Sequence, residues 1–228
     1  MYKMRTTEIT LKKQPLFFGK VASLYLAGAY LAGIIIFIVV LRYPFITEAA
    51  EKVRIIVGMK SMVFTCYLIM YVLFGPVLVL FVLDLKSRME NSDSLLVRFS
   101  SVIGFIWAGS LTASGMITNA TIAPLEKLLA ENPELAVQIW QMLDAVTVGL
   151  GNGNGEILGG IMTLGFSIAI FRDKRFSKVH GIFGMVVGVL GILSLFPVLK
   201  DLMMLFGLLQ LIWYVWTGFS KVSPTPSS

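Results

Sequence analysis

The sequence predicts an all-α, polytopic integral membrane bundle: six transmembrane helices plus one amphipathic helix on the outer surface. Three observations carry this. Six long apolar runs, at about 17–41, 61–83, 100–122, 157–171, 182–199 and 202–219, are separated by polar stretches. Most approach the ~20 residues a helix needs to cross the hydrocarbon core. Of the 228 residues 57% are hydrophobic and 14% charged, where a soluble domain carries about 25% charge. Inside a bilayer the backbone must satisfy its own polar groups, so such runs are helices. The third observation is the pattern of basic residues, taken up below. Together they leave room for one transmembrane domain over 1–222 and no separate soluble domain.

The first run follows a basic segment and continues through Ile34-Ile35-Ile36-Phe37-Ile38-Val39-Val40. That exceeds the apolar core of about 7–15 residues in a signal peptide, so an uncleaved first helix is expected. In the second run Gly75-Pro76 predicts a kink, which a membrane helix tolerates where neighbours resatisfy the backbone. In the third, Ser110, Ser114 and Thr118 recur every fourth residue, and Gly155/Gly159 and Gly184/Gly188 repeat that spacing later. Small residues at such spacing let helices approach closely. Pro197 predicts a boundary near the end of the fifth run. Ser223-Pro224-Thr225-Pro226-Ser227-Ser228 reads as a disordered tail.

The link between the third and fourth runs is long and acidic. Asn132-Pro133-Glu134 is a helix start: Asn as cap, Pro at the first helical position, an acid in the first turn. An amphipathic helix over about 133–148 follows, with Leu135, Ala136, Ile139, Leu143 and Val146 on one face. It is expected to lie on the outer membrane surface or to cap the bundle, with Trp140 at the interface. The alternating Gly and Asn of 149–155 hold a helix poorly and predict an irregular loop.

Basic residues set the orientation. With six crossings, thirteen Lys and Arg fall on the side of the termini and six on the other. Both termini are therefore expected in the cytoplasm, and the protein in the cell membrane. The basic loop Arg172–Lys178 fits anchoring at an anionic leaflet. The +6 charge thus reads as topology and membrane-lipid contact, and no basic stripe interleaved with aromatics points to a nucleic acid.

Several chemistries are excluded. Cys66 is alone, so no intrachain disulfide forms, and a buried inert thiol is expected. The single His180 rules out bis-His haem ligation and a His-rich zinc site. No cofactor, metal site or catalytic residue is expected. Thr112-Ala113-Ser114-Gly115 is similar to the serine motif of rhomboid-type intramembrane proteases, but that chemistry needs a His within reach of the Ser. His180 is predicted at the opposite, cytoplasmic side.

Glu156 is the sharpest candidate, standing between the Gly/Asn loop and Ile157-Leu158-Gly159-Gly160. An ionisable group at membrane depth is costly and marks ligand or proton sites; at the interface it would only complement the helix dipole. Asp144 could pair with it. Asn119, Asn152 and Asn154 could line the polar end of a pocket that Trp140 and Asp144 cover.

The chain resembles a family of uncharacterised bacterial six-helix membrane proteins. The resemblance rests on Phe18-Gly19-Lys20, Ile139–Asp144 leading to Gly155-Glu156-Ile157-Leu158-Gly159, His180–Gly184 with Val187-Gly188, and Ile212–Gly218. It implies a bacterial inner-membrane protein and brings no reaction. The first expectation for function is a non-enzymatic membrane protein binding a lipid or small apolar molecule at an outer-leaflet pocket. The alternatives are a small proton-coupled transporter using Glu156 and an accessory subunit packed against a membrane-protein partner.

Overall fold

The computed structural model describes residues 15–152 and 156–220; the tail at 223–228 and Asn154 lie outside the described residues. Among the described residues all regular structure is helical. Five stretches are long and apolar enough to cross a membrane: Phe18–Val40, Lys60–Arg88, Leu95–Glu131, Pro133–Arg172 and Leu202–Phe219. The expected fifth span, Lys178–Leu193, is apolar but only 16 residues long. It stops before the expected Leu199 because Pro197 opens a 3-10 turn, Pro197–Leu199, and cannot continue the helix.

Helix α1 (Pro15–Gly33) runs on as a π-helical segment, Ile34–Val40. The chain turns at Arg42, whose backbone is left-handed (φ 50°). It then forms a short helix, α2 (Ala49–Gly58), which the sequence reading missed because Glu51-Lys52-Val53-Arg54 looks like a polar link. The next crossing is built from α3 (Lys60–Tyr67), a π-helical segment (Leu68–Val72) and α4 (Phe74–Arg88). The expected irregularity at Gly75-Pro76 thus takes the form of a π segment just before it. Pro76 has no N–H to return to the Val72 carbonyl, so the ladder is reset there. Gly75 serves a second purpose: a Cβ on it would run into Ala108 and Thr112 of the next helix.

Helix α5 (Leu95–Glu131) has 37 residues, far more than the expected 100–122. At 1.5 Å per residue it is about 55 Å long, nearly twice the ~30 Å hydrocarbon core. Asn132 ends it and caps α6 (Pro133–Thr147), its Oδ1 accepting the Leu135 N–H at 3.1 Å. Helix α6 does not lie apart on a surface. It folds back along α5, and the Ser114 hydroxyl donates to the Thr147 carbonyl at 3.0 Å. The overlong α5 supplies a wall, so α6 buries Ala136, Trp140 and Thr147. Leu135, Ile139, Met142 and Val146 stay exposed. The distal half of α5, α6, α2 and the start of α3 form a head with its own core of Val53, Ile56, Val63, Ile122, Leu125 and Trp140.

The bundle below the head is completed by α7 (Glu156–Arg172), α8 (Lys178–Leu193) and α9 (Leu202–Phe219). Its core is aromatic, with Phe81, Trp107, Phe166, Trp213 and Tyr214 buried. Helices α7 and α8 meet backbone to backbone. A Cβ on Gly188 would lie 2.6 Å from the Leu164 nitrogen, and one on Gly160 would lie 2.7 Å from the Gly188 carbonyl oxygen. Gly28 of α1 faces open space instead.

Gly188→Leu is expected to lower stability by at least the ~1–3 kcal/mol of an overpacked core. Gly28→Ala is expected to raise it by roughly 0.4–1 kcal/mol through the unfolded chain. Thermal unfolding of the two variants in one detergent separates these signs.

Candidate functional site

Glu156 is the first residue of α7. Arg172, at the other end of that helix, is about 24 Å away at 1.5 Å per residue. Along the helix Glu156 is thus less than one ~30 Å hydrocarbon thickness from Arg172. Its side chain turns inward, and its Oε2 is buried with no hydrogen-bond partner among the described residues. Three tyrosines from three elements stand within coulombic range of it: Tyr30 of α1, Tyr71 of the π segment and Tyr214 of α9. The surrounding space is filled by rings. Tyr30 packs edge-on to Phe74 at 5.7 Å, and Phe74 on Trp107 at 6.1 Å. Gly159, one turn into α7, lets the helix close onto the Trp107 ring, which a Cβ would meet at 2.7 Å.

Polar groups continue from this acid into the bundle. Thr163 donates to Gln210 Oε1 at 3.1 Å, with both residues fully buried. Trp107 Nε1 is buried without a hydrogen-bond partner among the described residues, and the Gln210 amide and the Tyr214 hydroxyl face each other. An acid, phenols and an amide in a packed apolar interior suit a proton rather than a bulky ligand, because the rings leave little room.

The other candidates are dispersed. Asn119 sits on α5 with its Oδ1 buried and unpartnered. Trp140 is only 3% exposed, inside the head core rather than at an interface, because α6 packs that face on α5. Asp144 is within coulombic range of Lys52 and Tyr43, and the Lys52 ammonium lies 4.9 Å from the centre of the Tyr43 ring. The Gly/Asn stretch begins as a π-helical continuation of α6, Val148–Asn152, and breaks at Gly151 (φ 160°, ψ −3°). The Asn152 side chain, like Asn154, lies outside the described residues.

A cavity of about 370 Å³ opens elsewhere, between α5 and α6. Ile117, Thr121, Pro124, Leu128, Ile139 and Leu143 line it, together with Ala120 and Leu125. The one polar side chain, Thr121, spends its hydroxyl on the Ile117 carbonyl at 2.7 Å. Pro124 stands inside α5 and has no N–H to give the Ala120 carbonyl. The Ala120 carbonyl therefore lacks its usual donor four residues on.

The opposite end of the bundle holds a polar cluster the sequence reading missed. Asp84 and Arg88 pair at 2.9 Å with side chains 5% and 7% exposed. The Arg88 Nη1 donates to the Thr217 carbonyl at 2.9 Å, and the Thr217 hydroxyl meets His180 Nε2 at 3.0 Å. His180 stacks on Trp216 at 5.1 Å. Gly19 admits the Asp84 carboxylate against α1, where a Cβ would collide with it. The available signal was an acid and an arginine four apart in an apolar helix. Arg88 is one of the thirteen basic residues on the side of the termini. Ser114 belongs to the other end, bonded to α6, so Ser114 and His180 form no catalytic pair.

Beside this cluster, Asp173 clamps two loops. Its carboxylate accepts from the Glu90 N–H at 2.9 Å, the Arg175 N–H at 3.0 Å and the Arg175 Nη2 at 2.8 Å. Burial alone would raise its pKa, but the Arg175 guanidinium and the two backbone N–H groups outweigh burial and hold it below the usual value.

Among the described residues no group of three His, Cys, Asp or Glu could hold a metal ion. No protein-family model, curated protein or solved structure matches the chain.

Asp84→Ala leaves Arg88 buried without its partner and is expected to cost about 3–5 kcal/mol, read as a fall in detergent thermal stability. Asp84→Leu with Arg88→Met should recover most of that loss. The Asp173 clamp has a folded pKa below the unfolded one. Its stabilisation is therefore complete above the unfolded value of about 3.9 and lost as pH falls through the folded value. The stability gap between wild type and Asp173→Asn is expected to stay constant from pH 8 to about pH 5 and to close only in stronger acid.

Proposed function

We propose that this membrane protein binds a lipid or small apolar molecule in the cavity between α5 and α6. The carrying observation is the cavity itself: about 370 Å³ with an almost wholly apolar wall, within the ~300–1,000 Å³ of small-molecule sites. Its depth supports the reading. Ile117 lies about 33 Å along α5 from Leu95, near the far boundary of a ~30 Å core, where an amphiphile can enter sideways from one leaflet. The Ala120 carbonyl offers the polar contact that fixes orientation. The thirteen-to-six distribution of basic residues supports placing the head outside and both termini in the cytoplasm. The resemblance to uncharacterised bacterial six-helix proteins supports an inner-membrane location. Native mass spectrometry of protein gently extracted from its own membrane is the test. Wild type and Glu156→Gln should both carry a defined bound mass, and Ala120→Trp, which fills the cavity from its exposed edge, should lose it. A bare wild-type chain, or an Ala120→Trp chain that keeps its cargo, rejects the reading.

A second reading, proton-coupled transport, is favoured by one observation: the buried, unbonded Glu156 Oε2 with three tyrosines within coulombic range of the acid. Ionisable groups at such depth mark proton relays. In proteoliposomes under an imposed potential, an internal pH dye should report proton entry with wild type and none above empty vesicles with Glu156→Gln. Equal traces for the two proteins remove this reading.

A further inference from the structure

A second cavity, of about 450 Å³, lies at the other end of the bundle, between the α4–α5 loop and the last turn of α7. Arg172, Asn91 and Ser94 contribute polar groups to its wall, and Leu96, Val97 and Ala169 apolar ones. Two acids also border it, and they differ. Asp173 is already neutralised by Arg175, which holds it at 2.8 Å. Glu90 is exposed at the rim. Arg172 enters no ion pair among the described residues and is the unspent charge of the wall. The Ser94 oxygen accepts the Val97 N–H at 3.4 Å, which leaves its own hydrogen to donate.

The surroundings have one dominant sign. Arg98, Lys174 and Lys178 are exposed near these helix ends, also without ion pairs among the described residues. Arg172 closes a membrane-crossing helix, so the cavity sits where headgroups meet acyl chains. A wall that is polar toward the loop and apolar toward the helices matches that boundary. A basic pocket between membrane helices is a headgroup site, and guanidinium pairs with phosphate in a forked geometry. Around the cavity the exposed Arg172, Arg98, Lys174 and Lys178 outnumber the exposed acids Glu90 and Asp93 of the α4–α5 loop, and that balance favours an anionic headgroup over a zwitterionic one.

We propose that this cavity holds the phosphate headgroup of an anionic phospholipid from the leaflet at this end. Arg172 pairs with the phosphate, Asn91 and Ser94 donate to it, and the first acyl carbons rest on Leu96, Val97 and Ala169. The site depends on neither the α5–α6 cavity nor Glu156.

The experiment places the full chain in nanodiscs of equal phosphatidylglycerol and phosphatidylcholine, followed by gentle release and native mass spectrometry. Wild type should retain phosphatidylglycerol selectively. Arg172→Gln should cut retention about tenfold, the scale of one charge-assisted hydrogen bond. Ala169→Trp, which fills the apolar wall and leaves every charge in place, should also lose the lipid. Lys174→Gln, one charge fewer outside the cavity, should keep it. Circular dichroism confirms that each variant is folded. Equal retention of the two lipids, full retention by folded Arg172→Gln, or equal loss from Lys174→Gln would overturn the proposal. So would inorganic phosphate displacing the lipid at millimolar concentration, which would mark a site for a soluble anion.

Discussion

The close approach of α7 to α8 is the contact on which the rest of this bundle depends. In lipid no hydrophobic effect drives helices together, because acyl chains are as apolar as leucine. Association then rests on dispersion between backbones that can touch. Gly160, Gly188 and Gly191 supply that contact, and a Cβ at any of them would strike the backbone of the facing helix. The resulting pair is a post against which larger side chains lean. Trp213 of α9 fills the space left by Gly184, and Trp107 of α5 fills that left by Gly159. Placing the glycines therefore also places the aromatic core, and with it the first turn of α7 that carries Glu156.

Buried polar groups gather at two ends of the interior. At the basic end, Asp84, Arg88, Thr217 and His180 join α4, α8 and α9 through bonds of about 3 Å. A buried pair of this kind favours one arrangement of helices more than it adds net stability. Toward the head, Glu156 Oε2 and Trp107 Nε1 lack hydrogen-bond partners among the described residues, as Asp84 Oδ1 and Arg88 Nη2 do at the basic end. Unpaired groups in a low dielectric are expensive. One of them belongs to Glu156, the acid that stands out in the sequence.

Helix type and approximate register were legible in the sequence because the bilayer leaves the backbone one solution. The cap at Asn132 was legible too, since it needs only three neighbouring residues. What could not be read was height. Nothing in Thr121-Ile122-Ala123-Pro124 tells a reader that α5 continues past the membrane, and Pro124 argues for a stop. The continuation is decided by α6 and α2 packing on it, a contact between residues distant in the chain. The same holds for the sites. Glu156 was visible as an acid beside an apolar run, but its three tyrosines come from parts of the chain that only folding brings together. Trp140 read as an interface residue because an amphipathic face does not say whether lipid or protein will cover it. Asp84 and Arg88 were hidden because a charged pair near a span end has the same spacing whether it is solvated or buried.

The short α8–α9 hairpin has a mechanical consequence. Sixteen residues of α8 span about 24 Å, some 6 Å less than an average hydrocarbon core, while α5 across the bundle exceeds it. The tip of the hairpin is apolar and bare, with Val198 94% exposed, and Lys200 and Asp201 follow directly. Were α8 to cross as a sixth span, the bilayer beside it would have to thin by that difference in length. Each ångström of mismatch costs a fraction of a kcal/mol, so such a crossing would favour thin membranes and neighbours that share the thinned patch.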